Sequence, residues 1–168
     1  MTTGKLPWVV FILLLAFAIA YVTSTASQLP PMVASHFDMS GYPNAFMTRS
    51  HYTRFILGFA IGLPVAIVAL LTWVYSGARD FKLPNRDYWL APERLPRTRS
   101  ILIAHGVWFG SLLVAMICFV HWLELEANRQ ASPQLSNHWV SVGLLVFFLI
   151  TAGWIIILLG AFRLPRGR

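Results

Sequence analysis

Polar and apolar positions do not alternate along this chain; they separate into blocks. Residues 6–37, 55–78, 100–123 and 130–162 contain no Asp, Glu, Lys or Arg. A helix that crosses about 30 Å of hydrocarbon needs about 20 mostly apolar residues. The blocks therefore predict spanning helices near 6–26, 54–76, 100–123 and 138–162. The expected fold class is all-α: a single-domain integral membrane four-helix bundle over residues 1–168. A long ordered loop at 27–53 joins helices one and two, and a second loop at 77–99 joins helices two and three. The run from Leu6 to Val22 is longer than the 7–15 apolar residues of a secretory signal, so the first helix is expected to be an uncleaved span.

Composition sharpens this picture. The chain is 57% hydrophobic and 11% charged, with a mean hydropathy of +0.65. Ordinary globular chains are about 45–50% apolar and about 25% charged, so a soluble globular enzyme, a disordered tail and a fibrous protein are all excluded. Cys118 is the single cysteine, which leaves no intramolecular disulfide and no multi-cysteine metal site.

The net charge of +7 acquires its meaning from position. Ten basic residues fall at the N-terminus, in the 77–99 loop and in the C-terminal tail: Lys5, Arg79, Lys82, Arg86, Arg94, Arg97, Arg99, Arg163, Arg166 and Arg168. Only Arg49, Arg54 and Arg129 fall on the other side. Positive charge marks the cytoplasmic side of a spanning protein, so both termini are expected in the cytoplasm and segments 27–53 and 124–137 outside. Arg79, Lys82, Arg86, Arg94, Arg97 and Arg99 are expected to contact anionic lipid, at about 1 kcal/mol each. Tyr88 and Trp89 lie among them, a mixture that also suits nucleic acid. A loop tethered to the membrane at both ends favours lipid, and no nucleic-acid partner is expected. Pro84, Pro92 and Pro96 predict that this loop is stiff and mostly non-helical.

Two small-residue pairs could bring helices close: Gly58 with Gly62, and Gly106 with Gly110. In antiparallel spans, the first pair lies about 6–12 Å and the second about 20–25 Å below the outer edge. They cannot oppose each other, so one is assigned to contacts within the bundle and the other to oligomerisation. Pro64 predicts a kink in helix two. Trp8, Trp73, Trp122 and Trp139 fall near helix ends, where an interfacial belt belongs. Trp108 and Trp154 lie deeper and need partners for their indole N–H groups.

The loop at 27–53 carries the most information. Pro30 and Pro31 end the first helix, Met32 to Phe37 can form a short strand or an interfacial stretch, and Ser40 to Asn44 is rich in turn formers. Thr48 or Ser50 can cap the next helix. A structured loop of this length is often functional. Leu29-Pro30, His36-Phe37, Gly41 and Pro43-Asn44, together with Asn85 to Arg94, resemble a bacterial membrane domain of unknown function found at the N-terminus of SdpI-type immunity proteins. The resemblance covers roughly residues 1–100. It implies a bacterial inner-membrane location. SdpI-type proteins protect their host from a secreted toxin and relay its presence to a cytoplasmic repressor.

Four of the five histidines fall on the expected outer side: His36, His51, His121 and His138, with Asp38, Glu124 and Glu126 beside them. His36 is expected to fix the loop through backbone carbonyls or Asp38. His51, His121, Glu124 and His138 supply ligands suited to a metal, and two histidines on facing helices suit haem. No HExxH, CxxC or HxH spacing accompanies them, so no cofactor is assigned and metal or haem stays as an alternative. His105, alone near the inner end of helix three, is expected to bond a neighbouring helix or water. The sequence offers no nucleophile–base pair and no phosphate loop. The reading is a non-enzymatic inner-membrane protein that recognises an outside ligand, peptide or membrane-protein partner through 27–53. The residues assigned to binding or loop shaping are Leu29, Pro30, His36, Phe37, Asp38, Gly41, Pro43 and Asn44. The alternatives are a metal- or haem-binding membrane protein and an accessory subunit of a membrane complex.

Overall fold

The computed structural model describes residues 4–77 and 82–164. Helix α1 spans Leu6–Thr25 and closes in a 3-10 turn at Ala26–Gln28. Strands β1 (Met32–Phe37) and β2 (Pro43–Thr48) follow, then α2 (Arg49–Gly77), the short α3 (Arg86–Trp89), α4 (Leu95–Asn128) and α5 (Asn137–Ala161). The chain is mostly helical, and α1, α2, α4 and α5 are long and apolar enough to cross a membrane. Arg79, Arg166 and Arg168, all expected near the membrane surface, lie outside the described residues.

Helix α4 is the axis of the bundle. Its buried face repeats at helical spacing: Thr98, Leu102, His105, Gly106, Gly110, Val114, Ile117 and His121. Gly110 makes this possible. A Cβ placed there would sit 2.3 Å from Val68 Cγ2 on α2 and 3.1 Å from the Phe11 ring on α1. A Cβ on Gly106 would sit 3.2 Å from Leu71. This pair therefore packs α4 inside the bundle. Gly58 and Gly62 are exposed on α2, with nothing within 4 Å of a Cβ on either. Pro64 lies inside α2 and is buried, where its missing N–H leaves the Ala60 carbonyl without its helical donor. No residue of α5 is buried, and this helix leans on α4.

Helix α4 has 34 residues, about 51 Å of axis, and is longer than the expected 100–123 at both ends. Pro96 stands in its first turn, where a missing N–H costs nothing. Glu124 and Glu126, which suggested a loop, continue the helix because Leu123, Leu125 and Ala127 between them are buried. The extra turns place Thr98 and Asn128 at the two ends of α4, where they hold the connections.

The 82–99 connection differs from the expected non-helical loop. Asn85 takes a left-handed conformation (φ 54°) and starts α3. The Trp89 indole and the Asn85 amide both donate to the Phe162 carbonyl, each at 2.9 Å. The Thr98 hydroxyl donates to the Trp89 carbonyl at 2.7 Å. The Arg94 guanidinium lies 3.9 Å from the Tyr88 ring centroid, a cation–π contact. Trp89 and Phe162 form a small satellite core that ties this connection to the end of α5.

Candidate functional site: a clamped β-hairpin

At the opposite end the expected loop is an antiparallel hairpin. The option of a strand at Met32–Phe37 is realised, and Pro43–Thr48 is its partner. Met32 pairs with Thr48, Val33 with Met47 and Ala34 with Phe46. Ser35 and then Asn44 are extra residues on their strands, giving two bulges that increase local twist. The turn is built by Asp38. Its Oδ1 accepts from Ser40 N at 2.8 Å and Tyr42 N at 2.9 Å. Gly41 N donates to the Asp38 carbonyl at 3.0 Å. Gly41 itself has φ +84°, the left-handed position that closes such a turn. A Cβ there would also strike the Leu135 carbonyl.

Other segments then clamp the hairpin. Leu135 N donates to the Gly41 carbonyl at 2.9 Å, and the Asn137 amide donates to the Met39 carbonyl at 3.1 Å. The 129–136 connection thus lies under the turn. Asn128, at the end of α4, docks along β1: its Oδ1 accepts from Ala34 N at 2.8 Å and its Nδ2 donates to the Ala34 carbonyl at 2.9 Å. One amide side chain so occupies the outer edge of β1 as a neighbouring strand would. Ala34 is fully buried, and an unsatisfied buried donor or acceptor costs about 1–3 kcal/mol. Asn128→Leu is therefore expected to lower stability by about that much. Amide exchange should accelerate across Val33–Phe37, as read by hydrogen–deuterium exchange, while α5 is unaffected.

Beneath the hairpin, His121 joins three helices. Its Nε2 lies 2.8 Å from the Thr25 hydroxyl on α1, and its Nδ1 lies 2.8 Å from the Tyr52 hydroxyl on α2. The Thr25 hydroxyl already donates to the Tyr21 carbonyl at 2.7 Å. It therefore accepts from His121 Nε2–H, which leaves Nδ1 to accept from Tyr52, a neutral imidazole with one defined tautomer. Tyr21 meets the imidazole edge-on and Tyr52 lies nearly parallel to it. The Glu124 carboxyl stands beside the Tyr52 hydroxyl, and its buried Oε2 makes no hydrogen bond among the described residues.

The sequence-predicted residues divide clearly on this frame. Leu29 and Gly41 are buried, Pro30, Phe37 and Pro43 half-buried, and His36, Asp38 and Asn44 exposed. The Pro30 carbonyl accepts from Arg49 Nε at 3.4 Å. The bonds that fix the turn come from Asp38, whereas the His36 ring hydrogen-bonds, among the described residues, the Ser35 hydroxyl alone, at 3.3 Å. Thr48 caps α2, accepting from His51 N at 3.4 Å. His51 and His138 are exposed, and His138 stacks edge-on against Trp139. His121 is fully buried with both nitrogens engaged. The structure does not gather these residues: among the described residues, no three His, Cys, Asp or Glu side chains are placed to hold one ion. Asn128 and Tyr52 were not anticipated. The helix end expected at 123 hides Asn128, and nothing local to Tyr52 in the sequence marks it.

The second edge of the sheet is open. The sheet has two strands, and among the described residues β2 pairs with β1 alone. In an antiparallel ladder, residue pairs alternate between facing inward and outward. Ala34 turns its N–H and C=O outward, to Asn128, so its opposite number Phe46 turns its own pair outward on the free side. The Phe46 and Met32 side chains are 53% exposed, Tyr42 57% and the turn residue Met39 98%. The fold defines a multi-pass membrane protein whose helices hold a small sheet at one end, with one edge covered and one free. No protein-family model, curated protein or solved structure matches the chain.

Proposed function

We propose that this is a non-enzymatic inner-membrane protein that recognises an extracytoplasmic peptide or membrane-protein partner through the hairpin, by pairing an extended segment of the partner with the free edge of β2. The observation that carries this reading is the contrast between the two edges. Asn128 satisfies β1, whereas the Phe46 N–H and C=O face outward beside an exposed aromatic side chain. Main-chain bonds to a free edge supply affinity and alternate side chains supply specificity. An unprotected edge is otherwise a liability that proteins cover or charge. The clamps at Gly41, Met39 and Ala34 support it further, because a preorganised hairpin loses little conformational entropy on binding.

Placing the hairpin outside follows from charge: Lys5, Lys82, Arg86, Arg94, Arg97, Arg99 and Arg163 lie at the other end or lead into it. The resemblance to SdpI-type immunity proteins adds a secreted peptide toxin to the partners this edge suits. The test uses Phe46→Pro. Proline is tolerated on an edge strand where the N–H faces away from the ladder, so the hairpin keeps its own pairing while the edge loses its donor. In the host, Phe46→Pro at wild-type abundance is expected to reproduce the phenotype of a deletion across envelope stresses and toxin challenge. A variant that fully complements the deletion contradicts edge recognition.

A further inference from the structure

Helix α5 leans on α4 and leaves a cleft toward α1, within the spanning part of the bundle. The cleft has a volume of about 1050 Å³ and is walled by Val10 and Leu14 of α1, Trp108 and His105 of α4, and Trp154 of α5, with Arg97 at one end. Its walls are mostly apolar; the Ser111 hydroxyl donates to the Val107 carbonyl at 3.1 Å, and the other polar groups are His105 and Arg97. His105 is 7% exposed, yet its Nδ1 has no hydrogen-bond partner among the described residues. The Trp154 indole, which could have bonded it, donates instead to the His105 backbone carbonyl at 3.2 Å. Arg97 is exposed and forms no ion pair among the described residues. A buried polar atom without a partner is rare and costly, and the imidazole that carries it forms part of the wall of a cleft large enough for a ligand.

We propose that this cleft is a binding site for one anionic glycerophospholipid. Arg97 and His105 lie eight residues apart on α4, about 12 Å along the axis. The reach of an arginine side chain and a glycerol backbone together cover that distance. The phosphate pairs with the Arg97 guanidinium. The His105 imidazole, part of the cleft wall, donates to an acyl ester carbonyl, and the chain below lies along Trp108, Leu112 and Ile150. Charge at the mouth, one donor at the depth of the glycerol and an apolar remainder match the three zones of that molecule in order. The inference is independent of the hairpin and of any partner there.

Gly153 offers a direct test, because it lines the cleft and nothing lies within 4 Å of a Cβ placed on it. Gly153→Leu adds a side chain in the cleft from a Cβ with no neighbour within 4 Å, and Gly62→Leu makes the same change on the open face of α2. The purified full chain in detergent is titrated with phosphatidylglycerol or phosphatidylcholine and read by native mass spectrometry. Wild type and Gly62→Leu are expected to retain one phosphatidylglycerol at least tenfold more tightly than phosphatidylcholine. Gly153→Leu is expected to lose that adduct, Arg97→Gln to lose the preference, and His105→Phe to weaken retention of both lipids. Equal retention of the two lipids by wild type overturns the proposal. So does wild-type retention by Gly153→Leu.

Discussion

Gly110→Leu is expected to be the most damaging single substitution in the bundle. At this position α4 touches both α1 and α2, and the first added carbon already overlaps Val68 Cγ2 and crowds Phe11. Both neighbours are themselves buried, at 4% exposure each, so neither can swing into lipid. Overpacking of this kind costs about 1–3 kcal/mol even when backbones can shift. Here a shift would move α1 or α2 as a unit and disturb the His121 clamp farther along the same helices. Thermal unfolding in detergent should show a large loss for Gly110→Leu and almost none for Gly58→Leu, whose added side chain enters open space. Equal effects at the two positions would mean that α4 does not pack through its small face.

His121→Leu is the second large effect, and its signature is coupling. The substitution puts an apolar side chain at a fully buried position and removes the imidazole acceptor of the Tyr52 hydroxyl, which is itself 1% exposed and is left with the neighbouring Glu124 carboxyl. The lost Tyr52–His121 bond costs about 0.5–1.5 kcal/mol, and the poorer fit of leucine in an imidazole-shaped space adds to it. Thr25 suffers less because it keeps its bond to the Tyr21 carbonyl. Tyr52→Phe removes the same bond, so in the His121→Leu background it should cost less than in wild type. A double-mutant cycle on unfolding isolates that term. Strict additivity would show that the Tyr52–His121 bond contributes nothing to the bundle.

The sequence makes some of this architecture plain and leaves other parts hidden, for identifiable reasons. Apolar blocks free of charge could only be satisfied by spanning helices, because a backbone in hydrocarbon must bond to itself. Turn chemistry was equally local: Asp38, Gly41 and Thr48 act through neighbours within a few residues. What stayed hidden was long-range. Asn128 meets Ala34 across 94 positions and His121 meets Thr25 across 96, and neither partner carries a mark of the other. His121 looked like a metal ligand beside His51 and His138 because all three share one end of the molecule. Only the fold separates a buried clamp from two surface side chains. The roles of the two glycine pairs were also beyond the pattern alone, since spacing shows that a face is narrow but not what meets it.

The connection at 82–99 shows the opposite failure. Three prolines suggested an extended chain, yet Pro96 starts a helix and Trp89 anchors to the end of α5. Proline at a first helical turn reads the same in sequence as proline that prevents a helix. The difference is set here by Thr98, whose hydroxyl reaches back to the Trp89 carbonyl.

The central claim is that the free edge of β2 binds a partner, and site-specific photo-cross-linking in intact host membranes tests it most directly. A photoreactive residue replaces Ala45, which is exposed on β2, or Ser132, which is exposed in the connection beneath the turn at the same end. The account predicts a discrete protein or peptide adduct from position 45, little or none from position 132, and loss of the adduct when Phe46→Pro is added. No adduct from position 45, or an adduct indifferent to Phe46→Pro, would contradict it.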